Sequence, residues 1–71
     1  MLNGFVTKED GLYYYQNGRA TDLGLIYIDG YYYFIRGGGQ VVTNQTYYVW
    51  KTNGLSIKME YTFDEYGRAI I

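Results

Sequence analysis

Tyrosine is the most abundant side chain of this sequence that could take part in chemistry, with 11 copies among 71 residues. A tyrosine ring can stack on a flat ligand or attract a cation, and its hydroxyl can donate or accept a hydrogen bond. The aromatic residues come in runs, each followed within a few residues by a glycine. The runs are Tyr13–Tyr15, Tyr32–Phe34 and Tyr61–Phe63, and the glycines are Gly18, Gly39 and Gly67. This pattern favours binding on aromatic ledges over catalysis in a deep pocket.

Groups that commonly carry catalysis are scarce. The chain has no His and no Cys, which excludes a conventional triad or a thiol nucleophile. The seven carboxylates fall mainly in turns, and neighbours such as Asp64 and Glu65 point apart because side chains alternate along an extended chain. We therefore expect a protein that is not an enzyme, with no catalytic residue, no cofactor and no metal site. A glycosidase pair assembled from distant turns is the remaining enzymatic alternative.

The charges of the chain are few and dispersed. The formal net charge is −1, and the Lys and Arg residues are scattered singly, so no basic patch is present to bind nucleic acid or an anionic membrane. No apolar run approaches the roughly 20 residues of a membrane span, and Met1–Phe5 lacks the regions of a signal peptide. We therefore expect neither nucleic-acid partners nor membrane insertion. Because a repeat begins directly after Met1, we also expect a segment of a larger protein.

The repeats predict β-hairpins that must stack on one another. The dipeptides Asp10-Gly11, Asp29-Gly30 and Asn53-Gly54 stand between β-prone runs, which is the signal of a tight hairpin turn. A unit this short cannot bury its own apolar face and packs against its neighbours. The sequence therefore predicts an all-β fold, a short solenoid of about three stacked β-hairpins. The single domain spans 1–71, with approximate units at 3–22, 23–44 and 45–71.

Strand alternation sorts the aromatic residues into two faces. One face is aromatic in every unit and is predicted to form the core between hairpins: Tyr13, Tyr15, Tyr32, Phe34, Tyr61 and Phe63. The other face varies between units: Leu12, Tyr14, Tyr31, Tyr33, Glu60 and Thr62. A ligand would meet the variable face, so Tyr14, Tyr31 and Tyr33 are the candidate binding residues. The alternative for these three is an ordinary half-exposed place in a sheet, because Tyr is favoured in strands.

Other conspicuous residues are expected to be structural. The run Gly37-Gly38-Gly39 lacks the Lys-Ser/Thr and the helix of a phosphate loop, and is predicted to be a flexible turn between hairpins. Trp50 lies between Val49 and a turn. It is interpreted as a packing anchor in preference to a ligand contact. Arg19 and Arg68 occupy the same place in their units, which indicates a role against a neighbouring ring.

These features resemble the bacterial cell-wall-binding repeats, a family that includes choline-binding, glucan-binding and toxin receptor-binding repeats. The resemblance covers nearly the whole chain, and its specificity comes from the repetition. Unit one matches in Gly4-Phe5-Val6, Gly11, Tyr13–Tyr15, Asn17-Gly18 and Ala20-Thr21. Unit two matches in Gly24-Leu25-Ile26, Gly30, Tyr31–Phe34, Gly39 and Val41-Val42-Thr43. Unit three keeps Tyr61-Thr62-Phe63, Gly67 and Ala69.

The resemblance implies non-catalytic attachment to a cell wall or another glycan, at the surface of a bacterium and as part of a larger secreted protein. The tryptophans of the family pattern are replaced, by Phe5 and Leu12 in unit one and by Leu25 and Tyr31 in unit two. A choline cage depends on cation–π attraction, which leucine cannot supply. We therefore expect a saccharide ligand and no complete choline cage.

Two further functions remain open at this level. The chain is alternatively a structural spacer or protein-interaction segment whose aromatic residues serve stacking alone. Receptor recognition of the toxin type is a third possibility. The sequence does not identify the glycan or the parent protein.

Overall fold

The computed structural model describes residues 3–55 and 59–70, and the regular elements in those ranges are strands apart from one short 3-10 turn. The strands are β1 (Gly4–Lys8), β2 (Gly11–Tyr15), β3 (Gly24–Ile28), β4 (Tyr31–Arg36), β5 (Gln40–Val41), β6 (Gln45–Tyr48), β7 (Glu60–Phe63) and β8 (Ala69–Ile70). The expected all-β fold, a short solenoid of antiparallel hairpins, is confirmed. Across the two described ranges, no helix has the length and apolarity needed to cross a membrane.

The first two hairpins differ in how they turn. Strands β3 and β4 are joined by Asp29-Gly30, whose φ angles of 50° and 89° fit the predicted type I′ turn. Strands β1 and β2 turn one residue earlier than predicted, because Gly11 pairs with Lys8 inside the ladder. Glycine is favoured at position 11 because its φ angle is 137°, which other residues rarely adopt, and an added Cβ would also lie 3.0 Å from Nε2 of Gln40.

The third hairpin has a long loop. Strand β6 pairs with β7, and Tyr48 lies opposite Glu60. The predicted turn at Asn53-Gly54 forms inside this loop, with φ angles of 54° and 75°. Its role is docking: Asn53 Nδ2 donates to the carbonyls of Leu23 (2.8 Å) and Leu25 (3.0 Å) on the second hairpin. The return strand predicted after this turn is therefore wrong at Leu55, an exposed bend residue, while Ser56 and Ile57 lie outside the described residues.

The strands form two sheets, and β5 joins the first two hairpins into one of them. The order in the five-stranded sheet is β1-β2-β5-β4-β3, and the other sheet has the order β6-β7-β8. The chain reaches β5 through a 3-10 turn at Gly37–Gly39, so the predicted turn in this glycine run is present. Gly39 lies against Ala20, and an added Cβ would fall 2.4 Å from the Ala20 Cβ.

Two apolar clusters hold the hairpins together. The first junction lies between hairpins one and two, and its buried residues are Tyr33, Ile35 and Val41, with Leu12, Tyr14, Leu23, Ile26 and Ile28 partly buried around them. The second junction lies between hairpins two and three, and its buried residues are Leu25, Phe34, Val42, Val49, Tyr61, Phe63 and Ala69. Strand β4 contributes to both junctions, because its neighbouring side chains point to opposite faces.

The predicted face assignment is therefore correct only in part. Phe34, Tyr61 and Phe63 are buried as expected, and Tyr32 is partly buried against the second junction. Tyr33 was assigned to the ligand-facing side and is instead only 8% exposed. The reason is that the middle hairpin is covered on both faces. Successive side chains of β4 therefore alternate between the two junctions.

Unit one departs from the predicted core in the opposite sense. Tyr13 and Tyr15 are partly exposed, and their rings lie beside the Lys8 ammonium at 4.8 and 5.0 Å from the ring centroids. They lie against the Lys8 ammonium and belong to neither of the two apolar clusters. The prediction that these two rings form an inter-hairpin core is wrong.

Candidate functional site

Two of the three predicted binding residues meet at the first junction. Phe5 lies opposite Tyr14 in the β1–β2 ladder, with ring centroids 5.0 Å apart, and its ring is 4.8 Å from that of Tyr33. Phe5 thus lies between Tyr14 and Tyr33 and contacts both rings. The sequence pattern singles out Phe5 only because it replaces a tryptophan of the family. Phe5 is 39% exposed, whereas Tyr33 is nearly covered. Burial raises the pKa of the Tyr33 phenol.

Tyr31, the third predicted residue, lies on the same face of β4 but contacts a different partner. The Arg68 guanidinium is 4.8 Å from the Tyr31 ring centroid and 4.8 Å from that of Tyr66. Tyr31 is 45% exposed, so part of its ring remains accessible. The expected role of Arg68 against a neighbouring ring is confirmed, whereas Arg19 is exposed and bonds Gln16 through backbone groups.

Arg68 is held in place by Asp64, which organises the turn between β7 and β8. The Asp64 carboxylate accepts hydrogen bonds from the N–H groups of Tyr66 and Arg68, each at 2.9 Å, and forms a salt bridge with Arg68 Nε at 3.2 Å. Partial burial by itself raises the pKa of Asp64, but the two N–H groups and the Arg68 charge together hold that pKa below its ordinary value of 3.8. Asp64 therefore acts as a turn-forming residue.

The second junction carries a cluster of three rings that includes the single tryptophan. Trp50 makes an edge contact with Phe34, with centroids 4.9 Å apart, and lies 5.6 Å from the Tyr47 ring. Phe34 is fully buried, but Trp50 is 52% exposed. Trp50 is thus a packing anchor, as predicted, and also an accessible aromatic surface, which the sequence interpretation missed.

Arg36 borders this ring cluster. Its guanidinium carbon is 5.6 Å from the Tyr47 ring centroid, and Nε donates to Oε1 of Gln40 at 3.2 Å. The Gln40 Nε2 in turn donates to the carbonyl of Asp10 at 3.0 Å. A sequence signal existed for Arg36, because it follows Phe34 by two residues in β4 and so shares its face.

The tyrosines of unit one also hold a cation. The Lys8 ammonium hydrogen-bonds to the Tyr15 hydroxyl and lies over both flanking rings, and the Tyr13 hydroxyl donates to Asp10 Oδ2 at 2.7 Å. The hydrogen bond to Tyr15 is the main reason that the pKa of Lys8 is raised. Within residues 3–55 and 59–70, three cationic side chains therefore lie on tyrosine rings: Lys8, Arg36 and Arg68.

An open depression of about 580 Å³ lies at the outer side of the third hairpin. It is lined by Asn44, Gln45, Thr46, Thr62, Phe63, Asp64, Glu65 and Ile70. The lining is about equally polar and apolar, and the depression is too open to exclude water from a reaction. Residues 3–55 and 59–70 contain no cluster of carboxylates arranged to hold a metal ion.

Comparison with solved structures finds a domain of the same fold. The choline-binding domain of Spr1274 from Streptococcus pneumoniae superposes with a TM-score of 0.70, over 100% of this chain and 97% of that domain, at 22% sequence identity. The two chains share one fold. No protein-family model and no curated protein sequence matches the chain.

The Spr1274 domain supports the sequence resemblance at the level of architecture. The cell-wall-binding repeats implied stacked aromatic hairpins, and the chain has the choline-binding type of repeat fold along its whole length. At 22% identity the likeness establishes the fold alone. The ligand has to be argued from the side chains at the two junctions.

Proposed function

We propose that this chain is a non-catalytic module that attaches a larger secreted bacterial protein to polysaccharides of a cell wall. The observation that carries this proposal is the full-length structural likeness to the choline-binding domain of Spr1274. Partly exposed rings at both junctions support it, because an aromatic face is the surface on which a sugar stacks. The open depression of the third hairpin is lined by none of these rings, so they are proposed as a binding surface and not as part of a catalytic pocket.

The ligand class proposed is a saccharide and not choline. Leu25, at a position where the family pattern has tryptophan, is fully buried in the second junction. Among the described residues, cations of the chain itself lie over five tyrosine rings: Lys8 over Tyr13 and Tyr15, Arg36 over Tyr47, and Arg68 over Tyr31 and Tyr66. A quaternary ammonium would meet a like charge at each of these rings.

Tyr14, Tyr31 and Tyr33 remain the proposed contacts, Tyr14 and Tyr33 at the first junction and Tyr31 beside Arg68. Tyr31 offers the largest exposed surface of the three, and Tyr14 is half-buried beside the exposed Phe5. Tyr33 has only a small accessible part, so its contribution is to support the neighbouring rings. One ring on one sugar gives an affinity on the order of millimolar, and firm attachment then depends on several repeats acting together.

Cosedimentation with insoluble bacterial cell walls and with an insoluble glucan tests this function. The chain should sediment with at least one of these polymers, and free choline should not release it. A Tyr14→Ala/Tyr31→Ala variant with an unchanged circular dichroism spectrum should sediment less. Failure to sediment with either polymer, or release by choline, would contradict the proposal.

The second candidate function is a spacer whose rings serve only stacking. It is favoured by the stacking of Arg68 between Tyr31 and Tyr66, which ties the last turn to the middle hairpin and occupies ring surface. The same experiment separates the two functions. A spacer predicts no sedimentation with either polymer and no difference between the wild type and the Tyr14→Ala/Tyr31→Ala variant.

A further inference from the structure

The second junction places an exposed aromatic ring and a cation on the same patch. Trp50 is 52% exposed, and it is fixed from behind by its contacts with Phe34 and Tyr47. The Trp50 ring and the Arg36 guanidinium carbon each lie 5.6 Å from the Tyr47 ring centroid, so both are neighbours of the Tyr47 ring. The patch is defined here as Trp50, Tyr47 and Arg36. The Trp50 ring is held in position in the free protein, and this lowers the entropy cost of binding a ligand.

Arg36 and Arg68 both lie on aromatic rings, but their charges are balanced differently. The charge of Arg68 is balanced by Asp64. Their contact is the one salt bridge found among the described residues. Arg36 has no carboxylate within 4.0 Å in that part of the chain, and its positive charge is therefore unmatched there. Its one side-chain hydrogen bond to a described residue is the one from Nε to Gln40.

The hydrogen bond to Gln40 positions the guanidinium without using its outer edge. Gln40 is itself fixed by its hydrogen bond to the Asp10 carbonyl, and Gly11 leaves room for its amide. The terminal nitrogens of Arg36 donate to no described residue. A planar guanidinium with free terminal N–H groups matches a carboxylate or a phosphate, which it can bind through two hydrogen bonds.

We propose that this patch binds an acidic saccharide unit of a cell-wall polymer, with a sugar ring on Trp50 and an anionic group on Arg36. This inference rests on the proposed attachment function and names the ligand class for one of its sites. It places that site at the second junction, which the sequence interpretation did not include. The anionic group is a carboxylate, as in a uronic acid, or a phosphate ester, and both present the oxygens that Arg36 requires.

Tryptophan fluorescence tests the patch directly, because Trp50 is the only Trp of the chain. The chain is titrated with glucose, glucuronic acid, glucose 6-phosphate and choline, so that ring stereochemistry is constant among the sugars. We expect at least one of the two acidic sugars to change the fluorescence at about tenfold lower concentration than glucose. The sugar that does so distinguishes a carboxylate from a phosphate. Choline should produce no saturable change.

Two variants isolate the role of the cation. Arg36→Gln should remove the advantage of the acidic sugar and leave the response to glucose unchanged. Arg19→Gln removes the same charge from an exposed residue without side-chain contacts to the patch, and should behave as wild type. The proposal is overturned if acidic and neutral sugars act at equal concentrations, if Arg36→Gln matches Arg19→Gln, or if choline alone gives a response.

Salt dependence provides a measurement that does not depend on a variant being folded. The advantage of the acidic sugar over glucose should shrink as ionic strength rises, because an exposed ion pair is screened. An advantage that is unaffected by salt overturns the role of Arg36.

The fluorescence and sedimentation results separate this inference from the proposed function. Sedimentation with cell walls without any Trp50 response to sugars refutes the patch and supports attachment through other residues. A Trp50 response that prefers acidic sugars without sedimentation supports the patch and refutes attachment to the wall.

Discussion

The two junctions between hairpins are built from the same kinds of residue but leave different surfaces to solvent. At the first junction Tyr33 lies under Phe5 and is surrounded by aliphatic side chains. At the second junction Phe34 is fully buried, and Trp50, which packs against it, remains half exposed. The difference shows that an aromatic run does not by itself indicate a binding surface. What decides exposure is how the next segment of chain covers the run.

The largest effect is expected from truncating Phe34, which is fully buried at the second junction. Phe34→Ala should lower the free energy of unfolding by about 3–5 kcal/mol, enough to unfold a chain of this size. Phe5→Ala at the first junction should cost clearly less, because Phe5 is 39% exposed. Thermal melts followed by circular dichroism measure both. Similar losses would show that the two junctions do not differ as described.

A smaller loss is expected at Tyr33, and it concerns the face that alternation assigned to a ligand. Tyr33→Ala should cost about 3 kcal/mol because the ring is buried, whereas Tyr31→Ala should cost about 1 kcal/mol. Urea unfolding monitored by tryptophan fluorescence gives both values. A mild effect at Tyr33 would restore the original assignment of this residue to a solvent-facing side.

The third prediction uses two adjacent glycines as a matched pair. Gly38 and Gly39 have φ angles of 78° and 80°, so alanine is strained by a similar amount at either position. Only Gly39 contacts Ala20, where a Cβ would overlap. Gly39→Ala should therefore cost about 1–3 kcal/mol more than Gly38→Ala in chemical denaturation. Equal costs would mean that the approach of Ala20 to β5 does not constrain the first junction.

The smallest effect is the dependence of folding stability on pH. It concerns the turn between β7 and β8, whose Arg68 contacts Tyr31. Because the pKa of Asp64 is lower in the folded chain than in the unfolded chain, its contribution to stability is present above about pH 4 and is lost on further acidification. Asp64→Asn should reduce stability at neutral pH by about 1 kcal/mol and flatten the acid limb of the stability curve. Glu65→Gln serves as the control. An acid limb unchanged by Asp64→Asn would contradict the assigned role.

The sequence could predict those features that depend on neighbouring residues. Asp29-Gly30 forms the expected turn because both residues adopt positive φ angles and the flanking strands pair directly. Gly11 is predicted in the turn but begins β2, where its φ of 137° favours glycine and the Gln40 amide, 29 positions away, lies close to it. The long loop of hairpin three was missed because the Asn53 turn is docked on the second hairpin by tertiary hydrogen bonds.

The candidate site was predictable to a lesser extent. Alternation correctly grouped Tyr31 with Tyr33, but it could not show that a second core lies behind Tyr33. Phe5 contacts Tyr14 because the register of β1 and β2 places them opposite each other. A turn predicted at Glu9-Asp10 would have given this register. The exposure of Trp50 depends on the course of the loop after β6, and no local pattern encodes it.

Strand β5 has a consequence for any shortened form of the protein. It covers the edge of β2 on one side, where Gln40 lies opposite Tyr13, and the edge of β4 on the other. A fragment that ended after the first hairpin would lack the pairing of Gln40 with Tyr13 and leave β2 as a bare edge, which can recruit strands from other molecules. Removing repeats one at a time would thus create aggregation-prone ends.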